Sequence, residues 1–366
     1  MDLAFNVPLN RLSFGQCGLN LLKAAKAAGH NVFLFPIGQN DLGTSSIDNE
    51  LGEWIQESFK KGVLKYNKDI PCIKLWHLAM PDESNNVKGC YESVSNKTTF
   101  ISFYELDSPT ELELNVARNF DTVFTSSYTC DVFAENNVKT RYVPLGFDSD
   151  HFKVVNKKFW GDDRIVFCLL GKFEQRKHHS KVIKAWVKHF GNNKKYYLQL
   201  AVHNPFFNPQ MMANLLAGSM EGKHYWNVNP LNYFNTNASY NDFLNSNHIV
   251  LGMSGGEGWG LPEFHTVALG KHAVILNAHS YKNWANEENA VLINPLNKVS
   301  SVDGVFFKAG FPYNQGSIFN FDEDEFIAGC EKAIERYKRQ TINHAGLKLQ
   351  TEFTWAKTLE KLINKN

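Results

Sequence analysis

The chain has 366 residues, enough for two domains of about 150 to 200 residues each. Lys and Arg number 38 against 37 Asp and Glu, a formal charge of +1, so composition points to neither a nucleic-acid nor a membrane-surface partner. No apolar run approaches the roughly 20 residues of a membrane span, and the start MDLAFNVPLN lacks a basic segment followed by an apolar one; the expectations are no membrane span and a cytoplasmic location.

Apolar runs over 3–7 and 31–35 predict strands, separated by an alanine- and leucine-rich helix over 19–28 that Gly29 stops. Between them, Ser13-Phe14-Gly15-Gln16-Cys17-Gly18 reads as a glycine loop. Further strands are predicted at 72–76, 99–104, 122–125 and 141–143, with helices near 110–118 and 128–135. Such alternation implies a parallel sheet covered by helices on both faces. The polar stretch 148–163 reads as a domain junction, after which the alternation restarts. Strands over 164–170 and 197–202 flank an amphipathic helix over 177–190 that puts Val182, Ile183, Trp186 and Phe190 on one face. Strands at 248–253 and 273–276 follow. Residues 296–321 lack clear periodicity and read as a long loop or hairpin insertion, before helices over 322–337 and 354–363. The six cysteines, Cys17, Cys72, Cys90, Cys130, Cys168 and Cys330, form no CxxC pair and are expected to be reduced core residues.

The most chemically specific segment is Ser254 to His265, SGGEGWGLPEFH. It follows the apolar run Ile249-Val250-Leu251, surrounds Glu257 with Gly255, Gly256, Gly258 and Gly260, and supplies Pro262 where a helix begins. Strand, tight loop and helix start leave backbone N–H groups and a helix dipole directed at an anion above the loop. Glu257 would repel a phosphate beside it and suits hydroxyls instead. The combination fits a ligand with phosphate and polyol parts, such as a nucleotide sugar.

Two doubly wound domains with this loop in the second resemble the GT-B fold of retaining glycosyltransferases, in particular the large group called family 4 or group 1. Ala28-Gly29-His30-Asn31-Val32 is similar to that group's GHxV, and Val143-Pro144-Leu145-Gly146-Phe147-Asp148 to its VPxGVD. Gly171-Lys172-Phe173-Glu174-Gln175-Arg176-Lys177 is similar to GRLxxxK, residues 254–262 to SxxEGFGLP, and Phe353-Thr354-Trp355-Ala356-Lys357-Thr358 to the start of a terminal helix. The resemblance implies an α/β protein of two Rossmann-like domains facing a cleft. Residues 1–155 would form the acceptor-side domain, 156–347 the nucleotide-sugar donor domain, and 348–366 a helix crossing back to the first. It also implies transfer of a sugar from a UDP- or GDP-linked donor to a hydroxyl, with retention of configuration and without a cofactor or metal.

Two positions depart from the pattern. Where the group carries a second glutamate, eight residues after the first, this chain has His265, which is expected at the nucleotide ribose; Glu263, two residues earlier on a helix, points elsewhere. Lys172 stands where arginine is usual, keeping the charge without the bidentate fork.

Charge developing on the leaving phosphate then falls to Lys172, Lys177 and the helix start near Pro262, with Glu257 as the third catalytic candidate. Gly255, Gly256, Gly258, Trp259, Gly260, Leu261 and His265 are the expected donor-binding residues, joined by Gly15 and Gly18 of the first glycine loop. His77 and Glu105 follow predicted strands at the end where ligand crevices open, and are acceptor-side candidates. Asn204-Pro205-Phe206-Phe207 follows another strand end, either to pack on a base or to turn the chain.

Lys181, Lys184 and Lys188, with Arg176, His178 and His179 near the helix start, form a basic patch that suits a polyanion. Segments such as GKFEQRKHH, HNPFF and DGVFF resemble bacteriophage-borne members of the group, some of which glycosylate hydroxymethylated bases in DNA. A modified base in phage DNA, inside the host cytoplasm, is therefore one acceptor the sequence leaves open. A nucleotide-sugar epimerase, a sugar phosphorylase on the same fold, and a non-catalytic nucleotide-sugar binder motivated by His265 are the alternatives. Oligomeric state is not legible.

Overall fold

The computed structural model describes residues 1–43, 47–82, 84–157 and 163–364, so residues 158–162 of the predicted junction lie outside the described residues. The chain divides into two compact units. The first comprises Met1–His151, Gly304–Gly316 and Thr351–Asn366; the second comprises Phe152–Asp303 and Ser317–Gln350.

The first unit runs β1 (Asp2–Val7), α1 (Ser13–Ala27), β2 (Asn31–Pro36), α2 (Asn49–Lys65), β3 (Cys72–Leu75), a hairpin of β4 (Ala79–Pro81) and β5 (Val87–Gly89), β6 (Thr98–Ser102), α3 (Glu111–Asn119), β7 (Asp121–Phe124), α4 (Ser127–Glu135) and β8 (Arg141–Tyr142). Its main sheet has the order β2-β1-β3-β6-β7-β8, all parallel. Every residue of β3 and β6 is buried, as expected of strands covered on both faces. Helix starts follow local chemistry. Asp48 accepts from the Leu51 N–H at 2.7 Å, and Thr110 with Glu113 forms a capping box on α3.

The hairpin of β4 and β5 has no counterpart in the sequence reading, and two helices of this unit depart from it. Ser13 to Gly18 is not a loop but the first turns of α1. A Cβ at Gly15 would collide with the Asn10 backbone, and one at Gly18 with the Pro8 carbonyl. These glycines let α1 lie against the segment leaving β1, a packing demand that looks in sequence like turn chemistry. The helix α2 was not predicted, because its inward face is only Leu51, Ile55, Ser58 and Gly62. Gly62 is where α2 meets β2: a Cβ there would lie 2.5 Å from the Leu34 carbonyl oxygen.

The second unit contains β9 (Ile165–Leu170), α5 (His179–Phe190), β10 (Tyr196–Ala201), α6 (Pro209–Ser219), β11 (Val228–Pro230), α7 (Asn237–Ser246), β12 (Ile249–Gly252), α8 (Leu261–Ala268), β13 (His272–Leu276), β14 (Val291–Ile293), β15 (Asn297–Ser300), β16 (Ser317–Asn320), α9 (Glu323–Arg339) and α10 (His344–Leu347). The chain then passes through α11 (Leu349–Glu352) to α12 (Trp355–Ile363) in the first unit. The parallel sheet is ordered β11-β10-β9-β12-β13-β14, the 3-2-1-4-5-6 pattern of a dinucleotide-binding domain. Its core joins Phe167, Trp186, Phe190, Leu198, Leu251, Val274 and Phe326. The predicted helix face of Val182, Ile183, Trp186 and Phe190 is buried there.

Residues 296–321 form a hairpin whose base, β15 paired antiparallel with β16, belongs to the second unit. Its tip belongs to the first, although the sequence placed all of 156–347 in one domain. The Thr110 hydroxyl donates to the Pro312 carbonyl at 2.7 Å and the Asn314 N–H to Glu113 at 2.9 Å. Gly316, at φ 127°, has no room for a Cβ beside Asp107.

The VPLGFD segment and the C-terminal segment explain each other. The Phe147 N–H donates to the Phe353 carbonyl at 2.9 Å, and the Thr358 hydroxyl to the Pro144 carbonyl at 2.8 Å. A Cβ at Gly146 would overlap the Trp355 backbone. Gly146→Ala should therefore lower unfolding free energy by about 1–3 kcal/mol in a urea titration. Gly218→Ala, at a helical site with open space around it, should be neutral or stabilising by about 0.5–1 kcal/mol. Equal effects at the two sites would contradict this packing.

Candidate functional site

The order of the second sheet reverses between β9 and β12. Ligand crevices in such sheets open at the carboxyl ends of the two strands flanking that point. From β9 emerges Gly171-Lys172-Phe173-Glu174, followed by a 3-10 turn over Gln175–Lys177; from β12 emerges 253–260, followed by α8. A backbone bond and a guanidinium bond weld the two loops together. The Gly255 N–H donates to the Arg176 carbonyl at 2.8 Å, and Arg176 Nη1 donates to the Gly256 carbonyl at 2.6 Å. The hairpin adds a third strand of support: the Phe319 N–H donates to the Gly255 carbonyl at 3.0 Å, and His178 Nε2 donates to the Phe319 carbonyl at 2.7 Å. Gly255 must be glycine because a Cβ would run into that carbonyl.

Charges alternate across the join. Arg176 bridges Glu257 (2.9 Å) and Glu174 (3.0 Å), Lys177 bonds the same Glu257 oxygen as Arg176, and Lys172 reaches Glu174 at 2.8 Å. Glu174, Arg176, Lys177 and Glu257 are each at most 6 % exposed, whereas the Lys172 side chain is 39 % exposed. Burial alone would raise the Glu257 carboxyl, but Arg176 and then Lys177 outweigh it and hold it at about 2. Glu174 is likewise lowered, burial being overcome by Arg176, Lys172 and Lys177. Burial would lower Lys177, but Glu257 outweighs it and raises the ammonium. Gly171, at φ 90°, makes room for this lysine, since a Cβ would sit 3.2 Å from its Nζ.

Glu263 lies beneath the cluster. A Cβ at Gly252 would approach its Cγ to 3.0 Å, and its carboxyl feels Lys177 and Glu257. Tyr281 lies beside it, although neither Glu263 Oε2 nor the Tyr281 hydroxyl makes a hydrogen bond of good geometry. Burial is the main cause that lifts Glu263 to about 7. Lys172, Arg176 and Lys177 thus face the carboxylates of Glu174 and Glu257, and Lys172 is the most exposed of the five.

The structure thus brings Lys172, Lys177, Glu257, Gly255 and Gly256 into one cluster. Gly258, Trp259, Gly260 and Leu261 complete the loop into α8; Gly260 caps that helix at φ 80° and lies against Tyr281, while the Trp284 indole N–H donates to the Trp259 carbonyl at 3.0 Å. His265 is 7 % exposed and stacks on Phe152, with ring centroids 4.4 Å apart. Gly15 and Gly18, expected at the donor, are helix-packing glycines of the first unit. His77 and Glu105 follow β3 and β6 in that unit.

Sequence reasoning missed Glu174 and used Arg176 wrongly. Arg176, His178 and His179, assigned to a basic surface patch, are buried. Lys181 bonds Asn320 at 2.8 Å and the Phe321 carbonyl, and Lys184 pairs with Glu221 at 2.9 Å. The patch therefore loses four of its six groups, leaving Lys184 and Lys188 exposed, the former in a surface ion pair. The missed signal was Glu174-x-Arg176-Lys177 itself, opposite charges at close spacing just past a buried strand. Among the described residues, no three His, Cys, Asp or Glu side chains are grouped to hold a metal ion, and no helix is long and apolar enough to cross a membrane.

No family model and no curated protein matches this sequence. Solved structures do match. A glycosyltransferase from Rickettsia africae aligns with a TM-score of 0.64 at 11 % identity, covering 100 % of this chain and 97 % of that one. HepE from Anabaena, solved in complex with UDP-glucose, aligns at 0.62 and 11 % identity, covering 100 % and 99 %. Sucrose-phosphate synthase from Thermosynechococcus elongatus aligns at 0.62 and 14 % identity, covering 100 % and 98 %. The fold is GT-B, built from two Rossmann-like parallel-sheet domains.

Glu263 yields a pH test. Its folded value near 7 exceeds the ordinary 4.5, so the folded protein holds an extra proton between those values. Stability falls as pH rises through this window and stays reduced above it. Glu263→Gln should raise the melting temperature at pH 8 by the equivalent of on the order of 3 kcal/mol. The gain should fade toward pH 4.5; a gain independent of pH would contradict the buried, uncompensated carboxyl.

Proposed function

We propose that the protein is a glycosyltransferase that binds a nucleotide sugar with its diphosphate above the joined 171–177 and 254–261 loops, and moves the sugar to a hydroxyl acceptor. The observation that carries this reading is the buried chain of alternating charges ending at the half-exposed Lys172, set at the carboxyl ends of β9 and β12. Bond cleavage leaves negative charge on the departing diphosphate. Lys172, Lys177 and Arg176, with the N-terminus of α8, stabilise that charge without a metal.

Glu257 has a double part in this scheme. Its Oε1 fixes Arg176 and Lys177, and the same carboxylate, which Ser254 also contacts, is the acceptor for a donor-sugar hydroxyl. The ring face of His265 is covered by Phe152, so a ribose would meet its edge. Retention fits attack from the leaving-group side, with the departing phosphate taking the acceptor proton. All six cysteines are free, which supports a cytoplasmic location. A DNA acceptor loses most of the support of the patch on α5, because Arg176, His178 and His179 are buried and Lys181 is bonded to Asn320 and Phe321.

Purified protein incubated with UDP- and GDP-sugars and no acceptor should slowly release free sugar. Lys172→Ala should slow that release roughly 100-fold, the cost of one oxyanion-type donor. Donor binding without any turnover would favour a non-catalytic binder, and absence of binding would contradict the reading altogether.

A further inference from the structure

The first sheet has its own reversal of strand order, between β1 and β3. Four rings gather past the carboxyl ends of β1, β3 and β6. Phe14 packs against His77 (centroids 4.5 Å), Phe103 (4.5 Å) and Trp76 (6.0 Å), and Trp76 meets His77 edge-on at 5.3 Å. The core is already closed beneath them by Val7, Leu75 and Ile101, each at most 2 % exposed. Phe14, Trp76 and Phe103 are nevertheless only half-buried, and His77 is exposed. The Trp76 indole N–H donates to Met80 Sδ at 2.9 Å, which pins the polar edge of the ring. Glu105, also half-buried, follows Phe103 by two residues.

A partly exposed aromatic cluster at the ligand end of a parallel sheet offers apolar ring surface; His77 belongs to the cluster, and Glu105 lies two residues beyond Phe103. A pyranose has the matching halves, a C–H face and a rim of hydroxyls. A nucleic acid would instead need cations for its phosphates. Arg11, on the segment leading to Phe14, is already paired with Asp41 at 2.6 Å.

We propose that Phe14, Trp76 and Phe103 form a subsite for a neutral sugar ring, with His77 and Glu105 meeting its hydroxyls, so that the acceptor is a carbohydrate. The stacking site stands on its own geometry; its part as the acceptor subsite rests on the transferase reading.

Saturation-transfer NMR on the full chain tests it, with methyl glucoside and maltose as sugar probes, an oligonucleotide containing hydroxymethylcytosine as a competitor class, and UDP in the same samples. Saturation should reach the sugar ring protons in the wild type, weaken about fivefold or more in Trp76→Ala, and persist in Trp76→Phe. UDP signals should be equal in all three proteins, which shows that the second unit is folded, and far-UV circular dichroism and urea midpoints matching the wild type show that the first unit is folded too. Absent sugar signals, sugar signals unchanged in Trp76→Ala, or Trp76-dependent binding of the oligonucleotide in place of the sugars would overturn the proposal. Absence of a UDP signal from the wild type, and of a GDP signal in a parallel sample, would instead contradict the donor reading, while the sugar signals would still report on the aromatic subsite.

Discussion

Glu257 is a carboxylate out of water that stays ionised because two cations share one of its oxygens. Removing both cations would strand a buried charge, and breaking a buried pair in this way typically costs about 3–5 kcal/mol. Because Arg176 and Lys177 leave β9 and Glu257 leaves β12, the same contacts fix the spacing of two loops that no sheet hydrogen bond joins. Rigid placement is what an electrostatic site requires, since cations that must reorganise to meet developing charge lose much of their value.

The glycines around this network serve it from inside. Gly171 gives Lys177 its place, Gly255 admits the hairpin backbone, and Gly260 turns the chain into α8 against Tyr281. Each is explained by the protein's own packing, without a ligand. What the loop offers outward is the residue of that packing: the exposed end of Lys172 and the start of α8.

Much of the fold was legible because buried parallel strands are short apolar runs and helices between them carry apolar stripes. The run Ile249-Val250-Leu251 before SGGEGWGLP led directly to β12 and its loop, and the face of α5 was read residue by residue. Misreadings arose where the cause lies in a distant neighbour. Gly15 and Gly18 answer to Asn10 and Pro8, and α2 was invisible because Gly62 and Ser58 occupy much of its inward face. Arg176 reads as a surface cation until Glu257, 81 residues later in the chain, is placed beside it. The hairpin tip joins the first unit through Thr110 and Glu113, a relation that local periodicity does not record.

The central claim is that the welded loops of β9 and β12 present a diphosphate site. Calorimetric titration of the wild-type protein with UDP and GDP and with uridine and guanosine, at low salt and pH 6.5, tests it most directly. At least one diphosphate should bind at least about tenfold more tightly than its nucleoside, a difference of about 1.4 kcal/mol or more. Equal affinity within both pairs would show that the cations hold the loops together without holding a ligand, and would contradict the claim.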